Sequence, residues 1–219
     1  MNIGIIGAGN IGSTLAKRLT KLGHTVSIAN SRGPASLTAL AQESGAKAVT
    51  VKEAARAGDI VIVTIPEGKV KDLPKDLFDG VPDSVVVIDT GNYYPQRDGR
   101  IDEIENGLPE SQYAAQKLRR PVIKAFNNIR AQHLLENGRP AGAAGRIALP
   151  VSGDDPRAKK IVLDLVNELG FEGVDAGGLG ESWRHQPGTP VYTADLDADG
   201  VRRGLQQASK ERRREFRAA

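Results

Sequence analysis

The chain has 219 residues, 39% hydrophobic and 26% charged, enough to bury one core with a modest extension. It has no cysteine, which excludes disulfides, iron–sulfur clusters, thiolate zinc sites and cysteine nucleophiles together. The net charge of +3 is concentrated: from Gly200 onward seven Lys/Arg stand against two Glu, so that tail carries +5 and the rest of the chain −2, which argues against a nucleic-acid face on the folded body.

In chain order, the apolar run 3–6 reads as a strand that passes directly into Gly7-Ala8-Gly9-Asn10-Ile11-Gly12. Ile11, Leu15, Leu19 and Leu22 mark one face of a helix that Gly23 ends, and 25–29 is a second strand leading into Asn30-Ser31-Arg32. Pro34 starts a helix to about Glu43, 46–50 is a short third strand, and 52–57 a helical turn closed by Gly58. The β-branched run 59–64 has the composition of a strand buried on both faces of a parallel sheet, and it ends at Ile65-Pro66. A helix over 70–78 and a strand over 84–89 follow, then a loop over 90–110 rich in Gly, Asn, Pro and Tyr.

The second half predicts a helix at 111–119, a strand at 122–126, a polar excursion at 137–145, a strand at 147–152, a helix at 156–169 and a strand at 171–175. Gly177-Gly178-Leu179-Gly180 breaks the pattern, and a last helix starts near Val201. The alternation predicts an α/β, doubly wound, Rossmann-type, mostly parallel sheet with extra C-terminal strands and a short helical tail. The expected division is 1–176 for the nucleotide-binding domain with its extension, and 177–219 for a partly irregular segment ending in a basic, solvated helix. No charged leader precedes the first strand, and no apolar run approaches the ~20 residues of a membrane span, so a soluble, cytoplasmic protein is expected, with no nucleic-acid or membrane partner.

Strand, glycine turn, helix, strand is the context that makes G-x-G-x-x-G a dinucleotide fingerprint. Gly7 permits the sharp turn, Gly9 lets a pyrophosphate approach the backbone, and Gly12 lets the helix pack closely on the sheet. The phosphates then meet unpaired N–H groups at the positive end of the helix. An NAD site places an acid at the end of the second strand, yet none occurs between Gly12 and Glu43. Ser31 and Arg32 stand there instead, a hydroxyl and a guanidinium suited to a 2′-phosphate, so the expected cofactor is NADP(H). The competing reading makes them the start of a polar loop.

Tyr113 and Lys117 match the Tyr-x-x-x-Lys spacing of short-chain dehydrogenases, but the glycine spacing and upstream serine of that family are missing, so the pair is read as helix surface. His24 falls at the wrong end of the sheet for chemistry, and His133 on a helix. His185 lies near the expected site, where a structural hydrogen bond is the commoner role than substrate contact. No spacing of His, Asp and Glu fits a metal. No catalytic acid–base pair is assigned.

The glycine turn, Asn30-Ser31-Arg32, Thr64-Ile65-Pro66, Asp89-Thr90-Gly91-Asn92, Lys124-Ala125-Phe126-Asn127, Val151-Ser152-Gly153-Asp154-Asp155 and Asp175-Ala176-Gly177-Gly178-Leu179 follow in this order. Together they resemble the NADP-dependent oxidoreductases related to coenzyme F420 (deazaflavin) reductases, and the cytosolic domain of the STEAP metalloreductases. The resemblance implies that Ala8, Gly9, Asn10 and Ile11 lie along the pyrophosphate, and Ser31 with Arg32 on the 2′-phosphate. It places Thr64, Ile65 and Pro66 beside the nicotinamide ribose, Ala125 beside the nicotinamide, and Asn92 and Asn127 on the rim. Helix capping is the alternative for Asn127 and Asn128.

By the same resemblance, hydride passes directly from the nicotinamide to coenzyme F420 or to a flavin (FMN or FAD), which needs stacking geometry rather than a proton relay. Tyr93, Tyr94 and Trp183 are the candidate aromatics beside that small-molecule acceptor, with core packing the alternative for each. A homodimer is implied as well. Two other readings stay open: an NADP-dependent reductase of a small carbonyl or imine substrate, and a non-catalytic NADP(H)-sensing or partner-binding protein that uses the basic tail.

Overall fold

The computed structural model describes residues 1–218. Its first half runs through β1 (Asn2–Ile6), α1 (Asn10–Lys21), β2 (Thr25–Ala29), α2 (Thr38–Ser44), β3 (Lys47–Ala48), α3 (Val51–Ala55), β4 (Ile60–Val63) and β5 (Val86–Asp89). Then come α4 (Pro95–Asp98), α5 (Asp102–Glu105), α6 (Glu110–Leu118), β6 (Ile123–Lys124) and α7 (Ala131–Glu136). The chain closes with β7 (Ala148–Val151), α8 (Pro156–Glu168), β8 (Glu172–Asp175) and α9 (Ala198–Gln207).

The first six strands form one sheet in the order β3-β2-β1-β4-β5-β6, and every neighbouring pair is parallel. The order reverses between β1 and β4, the point at which open α/β sheets leave a crevice beyond the carboxyl ends of their strands. All four residues of β4 are buried, as are all four of β5, because helices cover both faces. Alternation sorts their side chains. Ile3, Ile5, Ile60, Ile62 and Ile88 pack with Leu15, Leu19, Val162 and Leu165 on one face. Ile6, Val61, Val63 and Val87 pack with Ala54, Ala114 and Leu118 on the other.

β7 and β8 form a separate parallel pair. It meets the large sheet through an antiparallel bridge in which Lys124 N donates to Ser152 O (2.8 Å) and Ser152 N to Lys124 O (3.0 Å). Among the described residues no helix is long and apolar enough to cross a membrane.

Three expectations change. Segment 70–78 is not one helix: a 3₁₀ stretch, Glu67–Asp72, is followed by turns, because Pro74 cannot continue the ladder. The loop over 90–110 contains α4 and α5. The final helix starts earlier, at Ala198, capped by Asp197, which accepts from Gly200 N (2.7 Å), and it stops at Gln207. The basic residues 210–217 therefore lie beyond the helix and fold back onto the body, so the tail is not a solvated helix end.

Candidate functional site

The glycine turn is stitched to both neighbouring strands: Gly7 N donates to Ala29 O of β2 and Thr64 N to Ile6 O, each at 2.8 Å. Gly7 has φ +118°, a conformation that a side chain would strain. A methyl group on Gly12 would sit 2.0 Å from the Gly7 carbonyl oxygen, so only hydrogen lets α1 start this close to the turn. A methyl on Gly9 would meet nothing within 4 Å: the space in front of it is open. Gly9 is also the residue before α1, which has no side-chain cap and no acid in its first turn. Its leading N–H groups are left for an anion.

Open space in front of Gly9 is one end of a cleft of about 630 Å³. The structure brings Gly7, Ala8, Gly9, Ser31, Arg32, Thr64, Ile65 and Pro66 together in its lining, with Val51, Lys69 and Leu73. Asn30 braces the turn after β2, its Oδ1 accepting from Arg32 N (2.9 Å) and its amide donating to Ser36 Oγ (2.9 Å). Ser31 and Arg32 are exposed at this edge. The lining fits the phosphates and adenosine of a dinucleotide, with a guanidinium where a 2′-phosphate would sit. Asn10 and Ile11 open α1 behind the turn, Ile11 packing against the core.

Asn92, Ala125 and Asn127 do not line this cleft. Ala125 is fully buried. Asn127 is committed inward: its amide donates to Asn92 Oδ1 (3.1 Å) and His185 O (2.7 Å), and the Asn92 amide donates to Asn127 O (2.9 Å). Neither Asn127 nor Asn128 caps a helix, since α7 starts after Arg130. Between them and Lys124, Phe126 takes φ +61°, a strained conformation for an aromatic residue.

His185 is fully buried. Its Nδ1 lies 2.9 Å from Asn127 Oδ1, which can only accept, so Nδ1 carries the hydrogen and Nε2 faces Ser152 Oγ at 2.9 Å as acceptor. Burial, reinforced by the charge on Lys124, pulls its pKa down to about 3. This neutral ring joins β7 to the segment after β6, the structural role weighed for it from sequence.

A cluster absent from the sequence reading lies under the carboxyl ends of β4, β5 and β6. Asp89 Oδ2 takes the Lys124 ammonium (3.0 Å) and the Ser111 hydroxyl (2.6 Å), while Oδ1 takes Gly91 N (2.9 Å). Lys124 also donates to Gly91 O. Glu67, directly after Pro66, is fully buried, and neither of its carboxyl oxygens has a partner. Burial raises its pKa well above the usual carboxylate range, and the nearby Asp89 adds to this. Glu110 is sealed too, and its Oε1 pairs with Arg212 from the tail. Burial opposes the charge on Lys124, but Asp89, Glu67 and Glu110 outweigh it and hold its pKa above the ordinary value. Three acids thus face two cations, and Glu67 is the one whose carboxyl oxygens have no hydrogen-bond partner. The sequence signal was an acid directly after the Thr64-Ile65-Pro66 turn that follows a buried strand; its neighbours arrive only through the fold.

Tyr113 is not helix surface. It is buried with Tyr93, Ile101 and Ile104, and Lys117 stacks 4.8 Å over its ring while pairing with Glu103 (2.9 Å). Burial pushes the phenol up to about 12, opposite to what a proton-transfer tyrosine needs. Tyr93 is fully buried and donates to Glu105 (2.9 Å). Tyr94 bonds to the Tyr192 hydroxyl, and Trp183 lies beneath Arg184, 4.3 Å from its ring centre.

Residues 2–93 match the model of the family described as NADP oxidoreductase, coenzyme F420-dependent. The chain is 39% identical to the protein YjhV of Escherichia coli (strain K12) over 92 residues, 42% of this chain and 60% of that one. It is 30% identical over 154 residues to the F420-dependent NADP reductase of Methanocaldococcus jannaschii, covering 64% of this chain and 63% of the relative. The chain thus spans about three fifths of the length of these curated relatives. Among solved structures, a hypothetical protein from Sinorhizobium meliloti superposes with a TM-score of 0.75 at 33% identity, covering 90% of this chain and 95% of that one. An imine reductase from Pseudomonas sp., at 18% identity and TM-score 0.55, shares the fold over 80% of this chain and 55% of its own.

Proposed function

Because the chain belongs among the NADP oxidoreductases related to the coenzyme F420-dependent reductases, we propose that it binds NADP(H) in the cleft beside Gly9 and exchanges a hydride with a deazaflavin or flavin acceptor. The observation that carries the reading is the pair Ser31 and Arg32 in the cleft wall, on a turn braced by Asn30, with no acid on β2 or in that turn.

The turn and the uncapped start of α1 receive the pyrophosphate, Ser31 and Arg32 the 2′-phosphate, and Ile65 and Pro66 give the cleft an apolar wall. When bound, NADPH supplies a hydride from its nicotinamide ring. The protein contributes orientation and exclusion of water, and the buried Asp89–Lys124 pair ties the carboxyl ends of β5 and β6 together. Direct hydride transfer needs no proton-relay pair beside the ring, and the buried His185 lies outside the cleft lining.

Anaerobic mixing of the protein and NADPH with the deazaflavin coenzyme tests this, with NADH as alternative donor and FMN as alternative acceptor. Rapid bleaching of the acceptor's visible absorbance with NADPH and not with NADH is the expected result. Tight NADPH binding without bleaching of either acceptor would overturn the acceptor assignment while leaving the cofactor assignment in place.

A further inference from the structure

The basic stretch after α9 is anchored on α4, α5 and α6, none of whose residues lines the nucleotide cleft. Arg212 is its main fastening: the guanidinium pairs with the buried Glu110, stacks 5.0 Å over the Tyr93 ring, and donates to Phe216 O (3.0 Å). Phe216 lies 6.1 Å from the Tyr94 ring, Gln96 donates to Glu215 O (2.9 Å), and Ala218 N donates to Glu105 (3.0 Å). This strap therefore has a defined course, and between it and the body lies a cavity of about 500 Å³.

The cavity's charges do not balance. Glu105 already accepts from Tyr93 and Ala218, and Glu211 pairs with Arg217 (3.2 Å). Lys210 and Arg213 also line the cavity, and among the described residues neither has a carboxylate within ion-pair distance. Lys210 stands 5.4 Å from the Trp183 ring centre, so the indole forms a flat wall beside an ammonium. Two cations without carboxylate partners beside an aromatic wall point to one ligand chemistry: two or more carboxylate or phosphate groups on a compact body.

We propose that the cavity between the C-terminal strap and Trp183 is a second binding site, separate from the nucleotide cleft, for a small polyanion. Lys210 and Arg213 would hold its charged groups, and Trp183 the body that carries them. The proposal stands independently of the acceptor assigned above.

Trp183 is the only tryptophan, so its emission reports directly on this cavity. Titration with benzene-1,3,5-tricarboxylate and with tripolyphosphate, at constant ionic strength, should give a saturable change for at least one of them. The double variant Lys210→Ala/Arg213→Ala should raise the dissociation constant at least tenfold, with its circular dichroism unchanged. Response to both anions would mark a charge-led site, and response to the aromatic acid alone one led by Trp183; either supports the proposal. No saturable change with either anion, or an unaltered response in the double variant, would overturn it. NADPH binding followed by thermal shift on the same samples keeps a failure here apart from a failure of the nucleotide reading.

Discussion

Lys124 holds its ammonium 3.0 Å from Asp89 Oδ2, and neither side chain reaches solvent. Deleting one partner of such a pair leaves a buried charge uncompensated. Lys124→Met should therefore cost on the order of 3–5 kcal/mol in urea denaturation. Asp89→Asn combined with Lys124→Met should cost clearly less than the two singles summed; strict additivity would show that the pair is not coupled.

The fingerprint glycines separate into two kinds. Gly12→Ala places a methyl against the Gly7 carbonyl oxygen, so it should lower the melting temperature and weaken nucleotide binding together. Gly9→Ala meets no protein atom, so it should melt like the wild type while losing affinity for NADPH. Equal affinity in Gly9→Ala and wild type would mean that phosphate does not approach this turn.

Arg32→Ala removes the guanidinium from the cleft wall. A charge-assisted hydrogen bond contributes roughly 1.5–3 kcal/mol, so the dissociation constant for NADPH should rise about 10- to 100-fold, with that for NADH nearly unmoved. Isothermal titration of both nucleotides checks this, and parallel losses would remove the 2′-phosphate assignment.

His185 makes stability depend on acidity. In the unfolded chain its ring takes a proton below about pH 6.5, whereas the folded protein resists until about 3. The unfolded state then binds more protons across that interval, so stability falls as pH drops through it, by up to about 1.4 kcal/mol per unit. Melting temperatures measured from pH 7 to 4 should show this slope. His185→Gln should start less stable at pH 7 and flatten it; parallel curves would mean that another group sets the acid limb.

Much of the large sheet was legible because its strands have no polar face to hide. β4 and β5 are buried throughout, so their composition alone declared them. The glycine turn was equally readable, since close packing of Gly7 against Thr64 and of Gly12 against Gly7 admits no side chain at either position. Segment 70–78 misled because Val70, Leu73 and Leu77 fall at helical spacing, and Val70 and Leu77 are indeed buried, but from turns on either side of Pro74. Glu67 was invisible as a site residue: what makes it unusual is Asp89, Gly91 and Glu110, all brought to it by the fold. The tail's charge was counted correctly, yet Arg212 could not be told from its neighbours until Glu110 lay within its reach.

Lys124 has a double attachment. Its side chain neutralises Asp89 at the end of the large sheet, while its own peptide groups form both hydrogen bonds of the bridge to Ser152 and the smaller sheet. Peeling β7 and β8 away would thus pull on the residue that keeps Asp89 compensated. The two sheets should open as one cooperative unit, with the amides of Lys124, Ser152 and Thr90 exchanging with deuterium at a shared free energy rather than in separate tiers.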